Sequence, residues 1–214
     1  MCGRYNYLSD GPGFRDEFEA VLTFDWEPRY NIAPSQPVPI VTLEDGARVA
    51  RLASWGFLPA WARDPNGRRP INARSETVAT NGMFRNAFRH RRCLIPMTGW
   101  YEWMQSEGGK IPHWIRPAAG PDAFAGIWDR WGEGDDALVT CAVLTTDAAP
   151  SIAHIHDRMP VVLDRDEWDT WLAGPPEAAA SLLRPYPGPL AWHAVSRFVN
   201  SPFNEGALCV EAVG

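Results

Sequence analysis

Lysine is almost absent from this 214-residue chain. Nineteen of its twenty basic residues are arginine, and Lys110 stands alone. Amine chemistry therefore falls either on Lys110 or on the α-amine at the N-terminus. Paired cysteines are missing as well: Cys2, Cys93, Cys141 and Cys209 are scattered without a repeated spacing. That pattern fits a reducing cytosol better than a disulfide framework. No apolar run approaches transmembrane length, and nothing near the start resembles a signal segment. A soluble protein with no membrane partner is expected. Repeats, low-complexity tracts and linkers are also lacking, so one domain over residues 1–214 is the expectation.

The net charge of −6 argues at first against a nucleic-acid partner. Its distribution argues the other way. Between Arg63 and Arg92 lie eight arginines against two acids, Asp64 and Glu76, so this segment is locally +6. Arginine suits bidentate phosphate contact and stacking on bases. A GC-rich genome would explain the lysine deficit but not the clustering.

Along the chain the pattern is mixed. Phe14, Phe18, Val21 and Leu22 share one face at helical spacing, which predicts a short first helix. The prolines of Tyr30-Asn31-Ile32-Ala33-Pro34-Ser35-Gln36-Pro37 predict an irregular loop. Val38–Leu43 and Arg48–Trp55 read as two strands around an Asp45-Gly46 hairpin turn. An arginine-rich loop runs from Trp61 to Pro70, and the stretch from Ser75 onward into Phe84 and Phe88 is expected to contain helix. Strand-like runs recur at Cys93–Pro96, His113–Ile115, Phe124–Trp128 and Ala137–Thr145. Asp164-x-x-Glu167 reads as a capping box opening a helix through Trp168, Trp171 and Leu172, with Gly174 ending it. A last helix spans Glu177 to Leu183 and stops at Pro185. Many short strands with few helices predict an α+β fold on curved antiparallel or barrel-like sheets.

Chemistry concentrates first at Met1-Cys2-Gly3-Arg4-Tyr5. Trimming of Met1 leaves Cys2 with a thiol and a free α-amine on adjacent carbons. The amine titrates at roughly 7.7–8 and the thiol near ~8.5. Such an aminothiol can capture an aldehyde as an imine and close it into a thiazolidine. Alternatively, its amine can serve as base for its own thiol, as in N-terminal nucleophile hydrolases. The plain alternative is a small residue at position 2 with no chemical role.

Three further stretches carry candidate groups. Asn72, within Ile71-Asn72-Ala73-Arg74, offers donors and an acceptor that can orient a terminal amine, although turn asparagines are common. Glu102 lies between bulky aromatics in Gly99-Trp100-Tyr101-Glu102-Trp103, where desolvation would raise its pKa toward neutrality; an exposed glutamate over a buried aromatic face is the alternative. His154-Ile155-His156-Asp157-Arg158 has an H-x-H-x-D look without a complete metal shell, because Arg158 supplies a cation where a ligand is needed. No metal and no cofactor is expected there; a histidine beside an aspartate and an arginine sits more naturally by an anion. Among eleven tryptophans, Trp55 and Trp61 bracket the start of the arginine loop and are candidates for base stacking.

In order, Met-Cys-Gly-Arg-Tyr, Tyr30-Asn31-Ile32-Ala33-Pro34, Trp55-Gly56, Asn72-Ala73-Arg74, Trp100-Tyr101-Glu102-Trp103, Phe124-Ala125-Gly126-Ile127-Trp128, Ile155-His156-Asp157-Arg158-Met159-Pro160 and Val199-Asn200-Ser201-Pro202 resemble the SRAP family, the SOS response-associated peptidases or abasic-site processing proteins. The resemblance runs almost end to end. It implies a single SRAP-type α+β domain whose N-terminal cysteine forms a thiazolidine with the ring-opened aldehyde of an abasic site in single-stranded DNA. Autoproteolytic exposure of the cysteine is implied too.

By the same resemblance Cys2 is the nucleophile, and Asn72 positions the N-terminus and the sugar. Glu102 would be the acid/base, and His156 would act at the sugar hydroxyl and in reversal. Arg4, Arg74, Arg85 and Arg158 would contact phosphates, and Thr145 would line the pocket. Met104 and Phe203 depart from positions that are commonly basic in the family, which implies a less positive rim. A monomer without an obligate protein partner is expected, cytoplasmic and working at the nucleoid or replication fork. Two rivals remain open: an N-terminal-nucleophile cysteine peptidase or amidohydrolase acting on proteins, and a noncatalytic reader of damaged DNA.

Overall fold

Two hydrogen-bonded sheets carry the chain, and one of them closes on itself. The computed structural model describes residues 2–120, 122–134 and 136–213. The order opens with β1 (Tyr5–Tyr7), α1 (Gly11–Phe18), β2 (Ala20–Leu22), β3 (Arg29–Ile32), β4 (Pro37–Glu44), β5 (Ala47–Trp55) and β6 (Asn72–Arg74). It continues through α2 (Arg85–His90), β7 (Arg92–Met97), β8 (Gly99–Ser106), β9 (Gly109–Pro117), β10 (Asp122–Trp131) and β11 (Leu138–Asp147). The last part holds β12 (Arg158–Pro160), β13 (Val162–Leu163), α3 (Trp168–Ala173), α4 (Pro176–Ser181) and β14 (Leu190–Ala194).

Strands β11, β10, β7, β4 and β5 lie side by side in that order. A parallel pairing of Thr140 with Ser54 and Cys141 with Trp55 joins β5 back to β11 and closes a five-stranded barrel. Closure leaves no unpaired edge within the ring. The second sheet is open, in the order β14-β9-β8-β1-β3. Most pairings are antiparallel, as expected, but β2 on β5, β6 on β11 and the closing contact are parallel.

The open sheet packs on the barrel through aromatic edges. Tyr5 meets Trp55 at 5.3 Å and Phe124 at 5.5 Å, both T-shaped, and Trp100 meets Phe124 at 6.2 Å. Such pairs add about 0.5–1.5 kcal/mol each beyond area burial. The barrel interior is tight at Gly126: a Cβ there would lie 2.8 Å from Cys93 Sγ and from Ile95.

Local chemistry explains several elements. Asp45 (φ 48°) and Gly46 (φ 81°) both take positive φ, so the β4–β5 hairpin turns on the expected Asp-Gly pair. The capping box forms, with Asp164 N–H donating to Glu167 Oε2 at 3.1 Å, and buries Trp168 and Trp171. Two expectations are corrected and a third is narrowed. The first helix ends at Phe18, where Glu19 turns left-handed (φ 49°), so Val21 lies in β2 with 62% exposure. The proline loop is partly strand, because Pro37 opens β4, a position strands tolerate, and Arg29–Ile32 pairs with β1. The stretch from Ser75 to Phe88 does contain helix, but only toward its end. Turns fill residues 75–84, where Asn81 Oδ1 accepts from Met83 N–H at 2.9 Å, and only Arg85–His90 is α-helical.

Candidate active site

The N-terminal segment is sewn into the middle of the open sheet. Tyr5 pairs with Ile32 on one side and Trp100 on the other, and Tyr101 N–H donates to the Arg4 carbonyl at 2.9 Å. Cys2, three residues before this pairing, is fully buried. Burial pushes its thiol up, and the negative charge of Glu102 adds to that shift. Buried in this way, the thiol is a poor nucleophile.

Three elements converge on Cys2. Strand β6 runs parallel to β11, with Asn72 opposite Val143, and Asn72 Nδ2 donates to the Cys2 carbonyl at 2.8 Å. Its Oδ1 is buried and has no hydrogen-bond partner among the described residues. Strand β8 brings Glu102, only 3% exposed, and burial pushes its carboxyl up to about 7. The turn before β12 brings His156, whose Nε2 lies 4.0 Å from Glu102 Oε2. His156 Nδ1 accepts the Arg158 N–H at 3.0 Å, with Asp157 Oδ1 at 2.9 Å. Burial lowers the imidazole pKa, so the ring is neutral at pH 7. Its Nε2 faces the Glu102 carboxyl, and Nδ1 lies between the Arg158 N–H and the Asp157 carboxylate. The result is a carboxyl half-protonated near neutrality beside a neutral imidazole, which suits proton transfer in either direction.

Cys2, Asn72, Glu102 and His156 therefore meet, as the motifs suggest. Thr145 on β11, two residues beyond the Val143 that pairs with Asn72, is fully buried, with an Oγ1 that has no partner among the described residues. The residues assigned to DNA divide. Arg74 is exposed and, with Arg68, lines a groove of about 450 Å³ that also takes in Asn72, Asn81, Met83 and Phe84. Arg85 is exposed at the start of α2, next to Phe84.

The other three are corrected. Arg4 Nη1 donates to Asn31 Oδ1 and the Val199 carbonyl, each at 2.8 Å, and burial lowers its pKa. Asn31 Nδ2 in turn donates to the Ser201 and Asn204 carbonyls, so this pair pins the C-terminal segment and commits Arg4 Nη1 to the fold. Trp55 is fully buried and offers no face to a base. Its Nε1 donates to the Ile71 carbonyl at 2.9 Å, which fixes the residue before Asn72. Arg158 is bound by Glu76, by Asp147 Oδ1 at 2.7 Å and by the Thr145 carbonyl at 2.7 Å. Its charge is neutralised within the fold, and its N–H orients His156.

Arg68 and His113 are the neighbours that motif reading misses. His113 is buried directly opposite Glu102 across β8 and β9. The register was legible: a two-residue turn at Glu107-Gly108 pairs Ser106 with Gly109, and each step outward leads to Glu102 and His113. Among the described residues no group of three His, Cys, Asp or Glu side chains is arranged to hold a metal, and no helix is long and apolar enough to cross a membrane.

Fold and site together define a barrel-and-sheet protein built around a cysteine at the second position, with a carboxyl–imidazole pair beside it and an arginine-lined groove alongside. The family model for SRAP, SOS response associated peptidase, matches residues 1–202, and the chain belongs to that family. It is 36% identical to the abasic site processing protein YoaM of Bacillus subtilis (strain 168), over 99% of this chain and 98% of that protein. Identity to YedK of Escherichia coli (strain K12), also an abasic site processing protein, is 31% over the whole of both chains. The abasic site processing protein HMCES of Gallus gallus is 30% identical over 94% of this chain and 71% of its own length. Among solved structures, a protein from Bacteroides thetaiotaomicron superposes with a TM-score of 0.90 over 99% of this chain and all of that one, at 24% identity, and so speaks for the fold. One from Bordetella bronchiseptica gives 0.80 at 27% identity, over 91% of this chain and all of that one.

Proposed function

We propose that this protein senses abasic sites in single-stranded DNA and captures them covalently at Cys2 once Met1 has been removed. Met1 itself lies outside the described residues. One observation carries the reading: a buried carboxyl titrating at about 7, 4.0 Å from His156, beside the N-terminal cysteine. The names of the relatives, abasic site processing proteins, supply the substrate class.

An abasic deoxyribose is mostly a closed hemiacetal, so its aldehyde must be released by proton transfer. Glu102 in its acid form protonates the ring oxygen, and His156 handles the departing hydroxyl proton. The α-amine of Cys2 adds to the aldehyde carbon and water leaves, giving an imine. The thiol then adds across the C=N bond: sulfur bonds to carbon and the nitrogen takes the proton. The net loss is one water. Ring closure removes the iminium that would otherwise drive β-elimination of the strand. Asn72, holding the Cys2 carbonyl at 2.8 Å, keeps amine and thiol beside the carboxyl. Arg74 and Arg68 hold the backbone without reading sequence.

The peptidase activity in the family description belongs, on this reading, to the removal of Met1, with Cys2 as the nucleophile. Burial of the thiol would keep it inert toward other partners meanwhile. Mixing the mature protein with an abasic oligonucleotide should shift its intact mass by one strand less one water. Cys2→Ala should abolish the stable adduct, leaving at most an imine that borohydride traps. Turnover on proteins with no DNA adduct would favour the rival hydrolase reading.

A further inference from the structure

The register of the open sheet extends the site beyond the acid/base pair. Glu102 on β8 faces His113 on β9, which faces Ala194 on β14. Trp192, two residues before Ala194, points to the same side of the sheet. Two strand spacings of about 4.8 Å and two residues of about 3.3 Å put Trp192 about 12 Å from Glu102.

Trp192 is 42% exposed, an unusual exposure for the largest aromatic side chain, yet its ring is held in place. His154 meets it at 4.8 Å with planes 62° apart, and His113 at 5.9 Å and 57°. Both histidines touch at a steep angle, and neither stacks on the indole. His154 belongs to the same turn as His156, two residues away, so one short segment braces Trp192 and completes the acid/base pair. His113 is fixed in turn, 4% exposed, with Nδ1 3.1 Å from the Ile111 carbonyl. A braced, exposed indole on the catalytic side of the sheet is built like a base-stacking platform.

We propose that Trp192 stacks on a nucleobase a few nucleotides from the lesion and so sets which part of the strand is gripped. This rests on the functional reading above. The platform accepts any base, because every base has a π-face, and it supplies the aromatic contact that buried Trp55 cannot. An abasic site has no base of its own to stack, so grip must come from its neighbours.

The test uses Cys2→Ala protein, so that binding stays reversible, and single strands carrying a tetrahydrofuran abasic analogue. 2-Aminopurine is placed one, two or three nucleotides to either side. One position should be strongly quenched on binding, and Trp192→Ala should restore its fluorescence. Trp192→Ala should also weaken affinity about 5- to 150-fold, as expected for losing one stacked base, while Trp192→Phe keeps most of it. The Trp192→Ala penalty should disappear on a strand that lacks a base at the quenched position. Equal affinity of Trp192→Ala and parent, or no position whose quenching depends on Trp192, overturns the proposal. Failure of the Cys2 protein to capture abasic DNA would strike the functional reading instead, whichever way Trp192 behaves. Matching thermal transitions for the Trp192→Ala and parent proteins exclude a folding artefact.

Discussion

Glu102 shows what the site costs the fold. Burial holds its carboxyl near 7 rather than at the usual carboxylate value of about 4.3. Between those values the folded state binds more protons than the unfolded one, so stability falls as pH rises through that window and the full penalty is present above 7. The shift corresponds to a penalty on the order of 3 kcal/mol at pH 8. Glu102→Gln should therefore stabilise the protein much more at pH 8 than at pH 5, as read by urea unfolding at the two pH values. The same substitution should slow capture of abasic DNA by about 10²-fold or more. It should also flatten the decline in rate that the parent shows above pH 7, as Glu102 loses its proton. A variant equally stabilised at both pH values, or equally fast, would show that this carboxyl is not the acid.

Elements explain why the motifs look as they do. Gly126, in the middle of β10, lies against Cys93 and Ile95 of the neighbouring strand β7 with no room for a methyl group. Gly126→Ala should cost about 1–3 kcal/mol by overpacking, measurable as a lower urea midpoint with unchanged slope, while capture by the surviving folded protein persists. The β4–β5 hairpin and the α3 capping box were legible because Asp45-Gly46 and Asp164-x-x-Glu167 act through their own few residues. The end of α1 was not, because helical spacing at Val21 and Leu22 continues past the left-handed turn at Glu19. The candidate cluster was legible as separate motifs. Its assembly was not, because it depends on β6 pairing in parallel with β11, a contact between residues seventy-one positions apart. Arg4, Arg158 and Trp55 were misjudged for one reason: sequence gives charge and aromaticity, whereas the partners that occupy them, Asn31, Glu76 and Ile71, are fixed by tertiary pairing.

At the scale of the molecule, a chain of net charge −6 must hold a polyanion by local charge alone. The arginines free to do so are fewer than the +6 segment suggests, since Arg91 and Arg92 are spent on Asp129 and on backbone carbonyls. Binding of unreactive single strands by Cys2→Ala protein should show a log–log salt slope near about −2, and Arg74→Ala and Arg68→Ala should each reduce it by about 0.7. Arg158→Ala should instead lower stability, by stranding Glu76 and Asp147, and should leave the slope almost unchanged. Equal slope changes for Arg74 and Arg158 would mean that the Glu76 pairing opens when DNA binds.

The proposed capture of the abasic sugar rests on two bonds to one residue. The adduct formed with an abasic strand can be digested with protease and nuclease, and its N-terminal peptide sequenced by tandem mass spectrometry. We expect that peptide to begin at Cys2, to lack Met1, and to carry the sugar on both the α-nitrogen and Sγ of Cys2. A sugar found on Lys110, or an adduct formed with Met1 still in place, would contradict the aminothiol mechanism outright.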